Sequence, residues 1–230
     1  MSRITRALLL AGALALLVPA SAAAALKLEP VGKAGDFTTP MYVASPPGDT
    51  HRVFVVERAG VVQVVRDGTT LPAPMLDISS DVNAQGERGL LSIAFPPDYA
   101  TTGLFYVYLA SQPDGQLQLR EYHRSVANPD VADRTGRVVW RQDHPATNHN
   151  GGTIAFGPDH LLWLATGDGA NRANAQDTTS QLGKLLRIDP RPGNAGEYTV
   201  PADNPYGSAV WAAGLRTRSV SPSTAGRETS

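Results

Sequence analysis

An internal repeat constrains the fold of this chain more than any other feature. The sequence Ile-Ala-Phe-Pro-Pro-Asp at 93–98 returns as Ile-Ala-Phe-Gly-Pro-Asp at 154–159, and the two copies begin 61 positions apart. Each copy reads as a strand and a Pro-Asp turn, followed by an apolar partner strand at 104–108 or at 161–165. Such a repeat predicts blades of a β-propeller or units of a solenoid. A coincidental match within a β-sandwich is the alternative.

Short apolar segments separated by turn residues recur along the rest of the chain. Two of them, at 51–57 and 61–65, flank Arg58-Ala59-Gly60 and predict a hairpin. No segment after the N-terminus has a helical period of useful length. The sequence therefore predicts an all-β fold. Its further strands are expected at 90–95, 104–109, 117–122, 138–140, 153–156, 161–166 and 184–188.

The first 24 residues have the pattern of an export signal. Arg3 and Arg6 precede an apolar stretch at 7–18, and small residues follow at 19–24. The apolar stretch is shorter than the ~20 residues that a membrane span needs. We therefore expect a signal peptide at 1–24 that is cleaved rather than kept as an anchor. The mature protein would then be periplasmic or secreted and would have no membrane span.

Charge and cysteine content argue against several classes of function. The formal net charge is −1, and no basic stripe points to nucleic acid as a partner. The chain has no cysteine, which excludes a disulfide framework and zinc sites built on thiolates.

A histidine and an aspartate stand at neighbouring strand ends. His149 lies in Asn-His-Asn-Gly-Gly just before one predicted strand, and Asp168 lies in Gly-Asp-Gly just after the next. Antiparallel pairing would bring both residues to one edge of the sheet. A carboxylate on one ring nitrogen would orient the other toward a substrate, so His149 is a candidate general base and Asp168 its partner. A turn histidine and a turn aspartate without a shared role are the alternative.

A metal site is a weaker interpretation of the same region. Asp143 and His144 could be grouped with His149 and Asp168, but the loose spacing favours a solvated loop. We assign no metal ligand in this chain.

Five ordered segments resemble one enzyme family. They are Phe-Val-Val-Glu at 54–57 through Asp-Gly at 67–68, Gly-Glu-Arg-Gly-Leu-Leu at 86–91, His-Asn-Gly-Gly at 149–152 with Gly-Pro-Asp at 157–159 and Gly-Asp at 167–168, Gly-Lys-Leu-Leu-Arg-Ile-Asp-Pro at 183–190, and Asn-Pro-Tyr at 204–206 with Ala-Gly-Leu-Arg at 213–216. Together they resemble the soluble glucose and aldose sugar dehydrogenases that depend on pyrroloquinoline quinone (PQQ), also called the glucose/sorbosone dehydrogenase family. The similarity covers residues 27–216.

The resemblance implies a fold, a cofactor and a set of site residues. The family fold is a six-bladed β-propeller with the quinone over its central channel. By resemblance, His149 matches the base that takes the hydroxyl proton, and Asp168 matches its carboxylate partner. Glu87 and Arg216 match quinone-contacting residues. The implied partners are a small sugar substrate and an external electron acceptor. A non-catalytic binding propeller is the alternative function.

After Arg216 the sequence departs from the family pattern, which continues as Asn-Pro and Phe-Arg-Phe-Ser-Phe-Asp. This chain reads Thr-Arg-Ser-Val-Ser-Pro-Ser-Thr-Ala-Gly at 217–226. Codons can be chosen for Arg-Asn-Pro-Phe-Arg-Phe-Ser-Phe-Asp-Arg-Gly such that deleting one adenine from the asparagine codon produces the observed run from Arg216 to Gly226. We therefore expect a frameshift, in the gene or in its sequencing, with a partial propeller at 25–216 that holds only the first blades and an aberrant, disordered tail at 217–230.

The frameshift would have consequences for function. The calcium site of the family and much of its PQQ pocket would belong to the missing blades. The chain as it stands would then be an inactive fragment of a broken gene. We call the protein that continues after Arg216 in the family pattern the frame-restored form.

Overall fold

A computed structural model describes residues 29–191 and 197–216. The signal peptide expected at 1–24 and the aberrant tail expected at 217–230 lie outside the described residues. Within the described part of the chain, no helix is long and apolar enough to cross a membrane.

Thirteen strands form three antiparallel sheets in the described residues, and each sheet is built from consecutive strands. The first sheet consists of β1 (Pro40–Ala44), β2 (Arg52–Glu57), β3 (Val61–Arg66), β4 (Thr69–Thr70) and β5 (Leu76–Asp77). The second consists of β6 (Leu90–Ala94), β7 (Leu104–Ala110), β8 (Leu117–His123) and β9 (Arg137–Gln142). The third consists of β10 (Gly151–Phe156), β11 (Leu162–Thr166), β12 (Lys184–Ile188) and β13 (Val210–Ala213).

Helices are few and short in the part of the chain that the structure describes. Ser79–Asp81 forms a turn of 3-10 helix after the first sheet. The α-helices are α1 (Tyr99–Thr102), between β6 and β7, and α2 (Arg172–Gln176), between β11 and β12. The all-β prediction is confirmed.

The repeat marks equivalent strands of neighbouring sheets. Its two copies fall at β6 and β10, which are the first strands of the second and third sheets. β6 packs against β1 on one side and β10 on the other, so the three first strands lie next to one another. The pairing of each first strand with its neighbour is irregular near the start of the strand. These are three successive propeller blades, and the sandwich alternative is wrong.

The first blade differs from the simple four-stranded pattern. β3 pairs with β4 at one end and with β5 at the other, so two short strands share the outer position. The second and third blades have four strands each.

The second blade is apolar on both faces because it lies between two others. Along β7, Phe105 and Val107 pack into the core shared with the first blade. Tyr106 and Tyr108 of the same strand pack into the core shared with the third blade. A strand that is covered on both sides needs a continuous apolar run, and Leu-Phe-Tyr-Val-Tyr-Leu-Ala is such a run.

Strand direction determines where loops meet. β6 and β10 begin at the same end of the blades at which β7 and β11 finish, because paired strands are antiparallel. The loops before β6 and β10 and the loop after β11 therefore gather at one end, which we call the site face.

Candidate active site

The loop that carries His149 crosses close to the end of β11. His149 has a left-handed backbone (φ 57°), as does Gly151 (φ 75°). A Cβ at Gly151 would lie 2.4 Å from the carbonyl oxygen of Ala165, and a Cβ at Gly167 would lie 1.6 Å from that of His149. Only glycine fits at either position, so the Gly-Gly and Gly-Asp-Gly motifs allow the two loops to touch.

The two predicted partners meet at this crossing. The Nδ1 of His149 lies 2.6 Å from Oδ1 of Asp168. The Asp168 side chain is 1% exposed and that of His149 13%. The backbone N–H of Ala170 donates to the same carboxylate oxygen at 3.0 Å. When the imidazole is neutral, this arrangement keeps the proton on Nδ1 and leaves the Nε2 lone pair free to accept a proton.

Glu87 holds the His149 loop from the neighbouring blade. Its Oε2 accepts a hydrogen bond from the backbone N–H of His149 at 2.9 Å. The backbone N–H of Glu87 in turn donates to the carbonyl oxygen of Thr147 at 2.8 Å. The resemblance assigned Glu87 to the cofactor alone, and sequence reasoning missed this support of the His149 backbone.

This contact predicts that two substitutions of Glu87 differ in their effect on stability. Glu87→Gln keeps an oxygen that can accept from the His149 N–H, so we expect little loss of stability. Glu87→Leu leaves that N–H without its acceptor and should cost about 1–3 kcal/mol in the free energy of unfolding. Urea denaturation of both variants measures the difference. Equal stability of the two variants would contradict the contact.

Arg216 lies at the same end of the third blade as Asp168. The backbone N–H of Leu215 donates to the carbonyl oxygen of Gly183 at 3.1 Å, and the N–H of Gly183 donates to that of Gly167 at 2.8 Å. The Arg216 side chain is exposed, and it has no carboxylate partner among the described residues. The backbone of Arg216 therefore lies at the site face.

The buried side chains of His144 and Arg88 hold the His149 loop through hydrogen bonds to backbone carbonyl oxygens. His144 is 2% exposed, and its Nε2–H donates to the carbonyl oxygen of His149 at 3.3 Å. Arg88 is 5% exposed, and its Nη2 donates to the carbonyl oxygen of His144 at 2.9 Å. Burial lowers the pKa of His144 below its ordinary value. No sequence signal marks either residue as a support, because both contacts are to backbone atoms.

The pKa of His144 predicts how stability depends on pH. The unfolded chain binds a proton near pH ~6.5, whereas the folded protein binds it only at lower pH. The stabilisation from neutral His144 is therefore full above that value and is lost as pH falls through the folded-state pKa. We expect His144→Gln to weaken this loss, in urea titrations over a pH series. His160→Asn, which removes an exposed histidine, is the control, and an unchanged pH dependence in His144→Gln would contradict the prediction.

The structure does not gather a metal site here. Within residues 29–191 and 197–216, no group of three or more His, Cys, Asp or Glu side chains could hold a metal ion. Asp143 instead accepts a hydrogen bond from Gln116 at 2.8 Å. Nδ1 of His149 is hydrogen-bonded to Asp168, so it is not free to bind a metal ion.

Comparisons with known proteins agree on one family. A family model described as glucose/sorbosone dehydrogenase matches residues 37–222. The PQQ-bound aldose sugar dehydrogenase of Streptomyces coelicolor superposes with a TM-score of 0.66 at 31% identity, over 82% of this chain and 54% of that one.

Two curated relatives differ in what their names describe. The mouse Hedgehog-interacting protein is 34% identical over 176 residues, which cover 68% of this chain and 25% of that protein. The aldose sugar dehydrogenase of Escherichia coli is 29% identical over 178 residues, which cover 73% of this chain and 46% of the enzyme. The chain thus spans about half, or less, of the length of these relatives.

Three consecutive blades, with a half-buried histidine paired to a buried aspartate at one end, define a β-propeller of the sugar dehydrogenase type. The chain belongs to the glucose/sorbosone dehydrogenase family.

Proposed function

We propose that the protein oxidises aldose sugars or related hydroxyl compounds with PQQ as its cofactor, and that His149 is the general base. The observation that carries this proposal is the 2.6 Å contact between His149 and the buried Asp168. Family membership and the PQQ bound to the Streptomyces relative support the choice of cofactor.

Each residue has a chemical task in this proposal. Asp168 orients the imidazole, and Nε2 of His149 accepts the proton of the sugar hydroxyl. PQQ, when bound, supplies the quinone that takes the hydride. The exposed guanidinium of Arg216 would bind an anionic oxygen of the cofactor. Glu87 holds the His149 backbone in place.

The described residues fit one side of such a cofactor site. A free guanidinium and an oriented imidazole suit an anionic quinone and a hydroxyl substrate. A calcium ion, which the resemblance implies, would need ligands that the described residues do not provide as a group. We propose that the rest of the pocket lies in the half of the family fold that this chain does not span.

The proposal extends to location and electron transfer. The export signal that the sequence predicts at 1–24 favours a periplasmic or secreted protein. Electrons from the cofactor would then pass to an external acceptor.

A second candidate function is recognition without catalysis. It is favoured by the 34% identity to the mouse Hedgehog-interacting protein, which exceeds the 29% identity to the Escherichia coli dehydrogenase. Propellers serve both roles, so fold alone does not separate them. The oriented His149–Asp168 pair favours the enzyme, since a recognition surface needs no proton acceptor.

Sugar-dependent reduction of a redox dye, with PQQ and calcium added, tests the proposal. We expect turnover by the frame-restored form and none by the 230-residue chain, because several charge-assisted contacts at ~1.5–3 kcal/mol each would be missing. Each 1.4 kcal/mol is about tenfold in affinity. Turnover by the 230-residue chain would show that the further blades are dispensable. A frame-restored form without turnover on any aldose would favour the recognition function.

A further inference from the structure

The least solvent-exposed charged side chain in the described part of the chain lies beside the site and has no role in the proposed chemistry. Lys184, the first residue of β12, is 0% exposed. Its Nζ donates to three backbone carbonyl oxygens, those of Asn174, Leu182 at 2.7 Å and Ala175 at 3.2 Å. Among the described residues, no carboxylate lies within ion-pair distance of this ammonium. Burial lowers the pKa of Lys184.

An ammonium that is buried without a carboxylate in direct contact costs more free energy than an apolar side chain in the same place, although the more distant Asp177 offsets part of this cost. Removing a charge from water costs free energy unless hydrogen bonds replace the lost hydration, and an apolar side chain would avoid that cost. An ammonium has three donors, and here each one is matched to a carbonyl oxygen. Unlike an apolar residue, Lys184 can hold three backbone carbonyl oxygens close together through hydrogen bonds.

The three oxygens belong to the loop that begins with Asp168. Asn174, whose carbonyl accepts from Lys184, donates from its side-chain Nδ2 to the carbonyl oxygen of Asp168 at 3.0 Å. The backbone N–H of Asn171 donates to the same Asp168 oxygen at 3.2 Å. Lys184 thus fixes the piece of loop that in turn fixes the backbone of Asp168.

The same cation reaches the segment before Arg216. The carbonyl oxygen of Ala175 accepts from Lys184 and also from the backbone N–H of Gly214 at 2.7 Å. One ammonium therefore connects the Asp168 loop to β12 and to the chain that leads into Arg216.

We propose that Lys184 is a positioning residue for the His149–Asp168 pair, acting through the backbone of the Asp168 loop. The inference rests on the proposed function only in treating that pair as the reacting groups. Its test does not need activity, so failure of the proposed function and failure of this inference are distinguishable.

The experiment records imidazole ¹⁵N resonances of the 230-residue chain and of Lys184→Met, in mildly alkaline buffer where an ordinary histidine is neutral. Methionine keeps an unbranched apolar side chain as far as the Cε position and removes the ammonium. In the wild-type chain we expect His149 to have the Nδ1–H tautomer with a slowly exchanging proton, since Asp168 accepts from it. In Lys184→Met we expect this slowly exchanging signal to be lost and the resonances to move toward the Nε2–H pattern.

An internal control is present in the same spectrum. His51 also pairs with a carboxylate, Asp67, at 2.8 Å, but in the first blade. Its resonances should not change in Lys184→Met. A tautomer change at His149 alone separates positioning from general loosening of the fold.

A chemical rescue isolates the ammonium itself. The chain has no cysteine, so Lys184→Cys can be alkylated at one position in the unfolded state and then refolded. Bromoethylamine restores an ammonium at the length of lysine, whereas bromopropane gives an uncharged side chain of the same shape. We expect the first product to have the wild-type His149 pattern and the second to have the Lys184→Met pattern.

Two results would overturn the proposal. One is an unchanged His149 tautomer in Lys184→Met, even with reduced stability, because Lys184 would then serve the fold alone. The other is failure of both uncharged forms to fold while the amine-bearing form folds, which would assign the ammonium to folding rather than to positioning.

Discussion

Replacing His149 by asparagine should lower sugar-dependent turnover of the frame-restored form by about 100- to 10,000-fold, the usual contribution of a general base. Asparagine tolerates the left-handed backbone that His149 adopts (φ 57°) but has no basic nitrogen. PQQ affinity should stay close to that of the parent protein, because the proposed base would act on the sugar hydroxyl. Steady-state dye reduction and a PQQ titration measure the two quantities.

The chain contains a matched control for this substitution. His160 has a similar left-handed backbone (φ 62°) and is exposed in the turn between β10 and β11. His160→Asn should keep full turnover. A His149→Asn variant with parental turnover would remove the base assignment, and one that lost PQQ binding in proportion to turnover would make His149 a binding residue.

Gly167→Ala should destabilise the fold by about 3 kcal/mol or more, at the upper end of overpacking costs. The added methyl group would lie 1.6 Å from the carbonyl oxygen of His149 and 2.9 Å from the backbone nitrogen of Gly151. Both are backbone atoms and cannot move without shifting the loop. The His149–Asp168 contact should open as the loops separate. Urea denaturation reports the stability, and the His149 ¹⁵N resonances report the contact.

Gly207→Ala separates this steric effect from a simple conformational cost. Gly207 has a left-handed backbone (φ 59°), but open space surrounds the position of its missing Cβ. Its replacement should cost only about 1 kcal/mol, the strain of a left-handed alanine. Gly167 has no such backbone strain, so its larger loss would come from the contact alone. Similar losses in the two variants would contradict the close crossing of the loops.

The blade architecture could be predicted because the repeat placed equivalent strands. The Pro-Asp turns and the apolar runs of the second blade are strong local signals, and the predicted strands there match β6 to β9 within a few residues. The sequence did not predict β1, β4, β5 or β13. All four are short and have little alternation, and their pairing depends on neighbouring strands that only the folded chain supplies.

Part of the site could be predicted from the spacing of its residues relative to the strands. Strand ends bring His149 and Asp168 together, and the sequence contains that information as spacing. The side chains that hold the site loops, those of Glu87, His144 and Lys184, form their hydrogen bonds with backbone N–H or carbonyl groups. Every residue has those groups, so no residue type in the sequence marks the acceptor or donor. Only the path of the folded loops selects them.

Reduction of PQQ in a single turnover tests the central claim most directly. The frame-restored form loaded with PQQ is mixed rapidly with glucose or with glucose deuterated at C1, and the cofactor absorbance is followed without any dye. We expect reduction that is slower with the deuterated sugar, and at least about 100-fold slower in His149→Asn. Absence of sugar-dependent reduction, or reduction at the same rate in His149→Asn, would contradict the account.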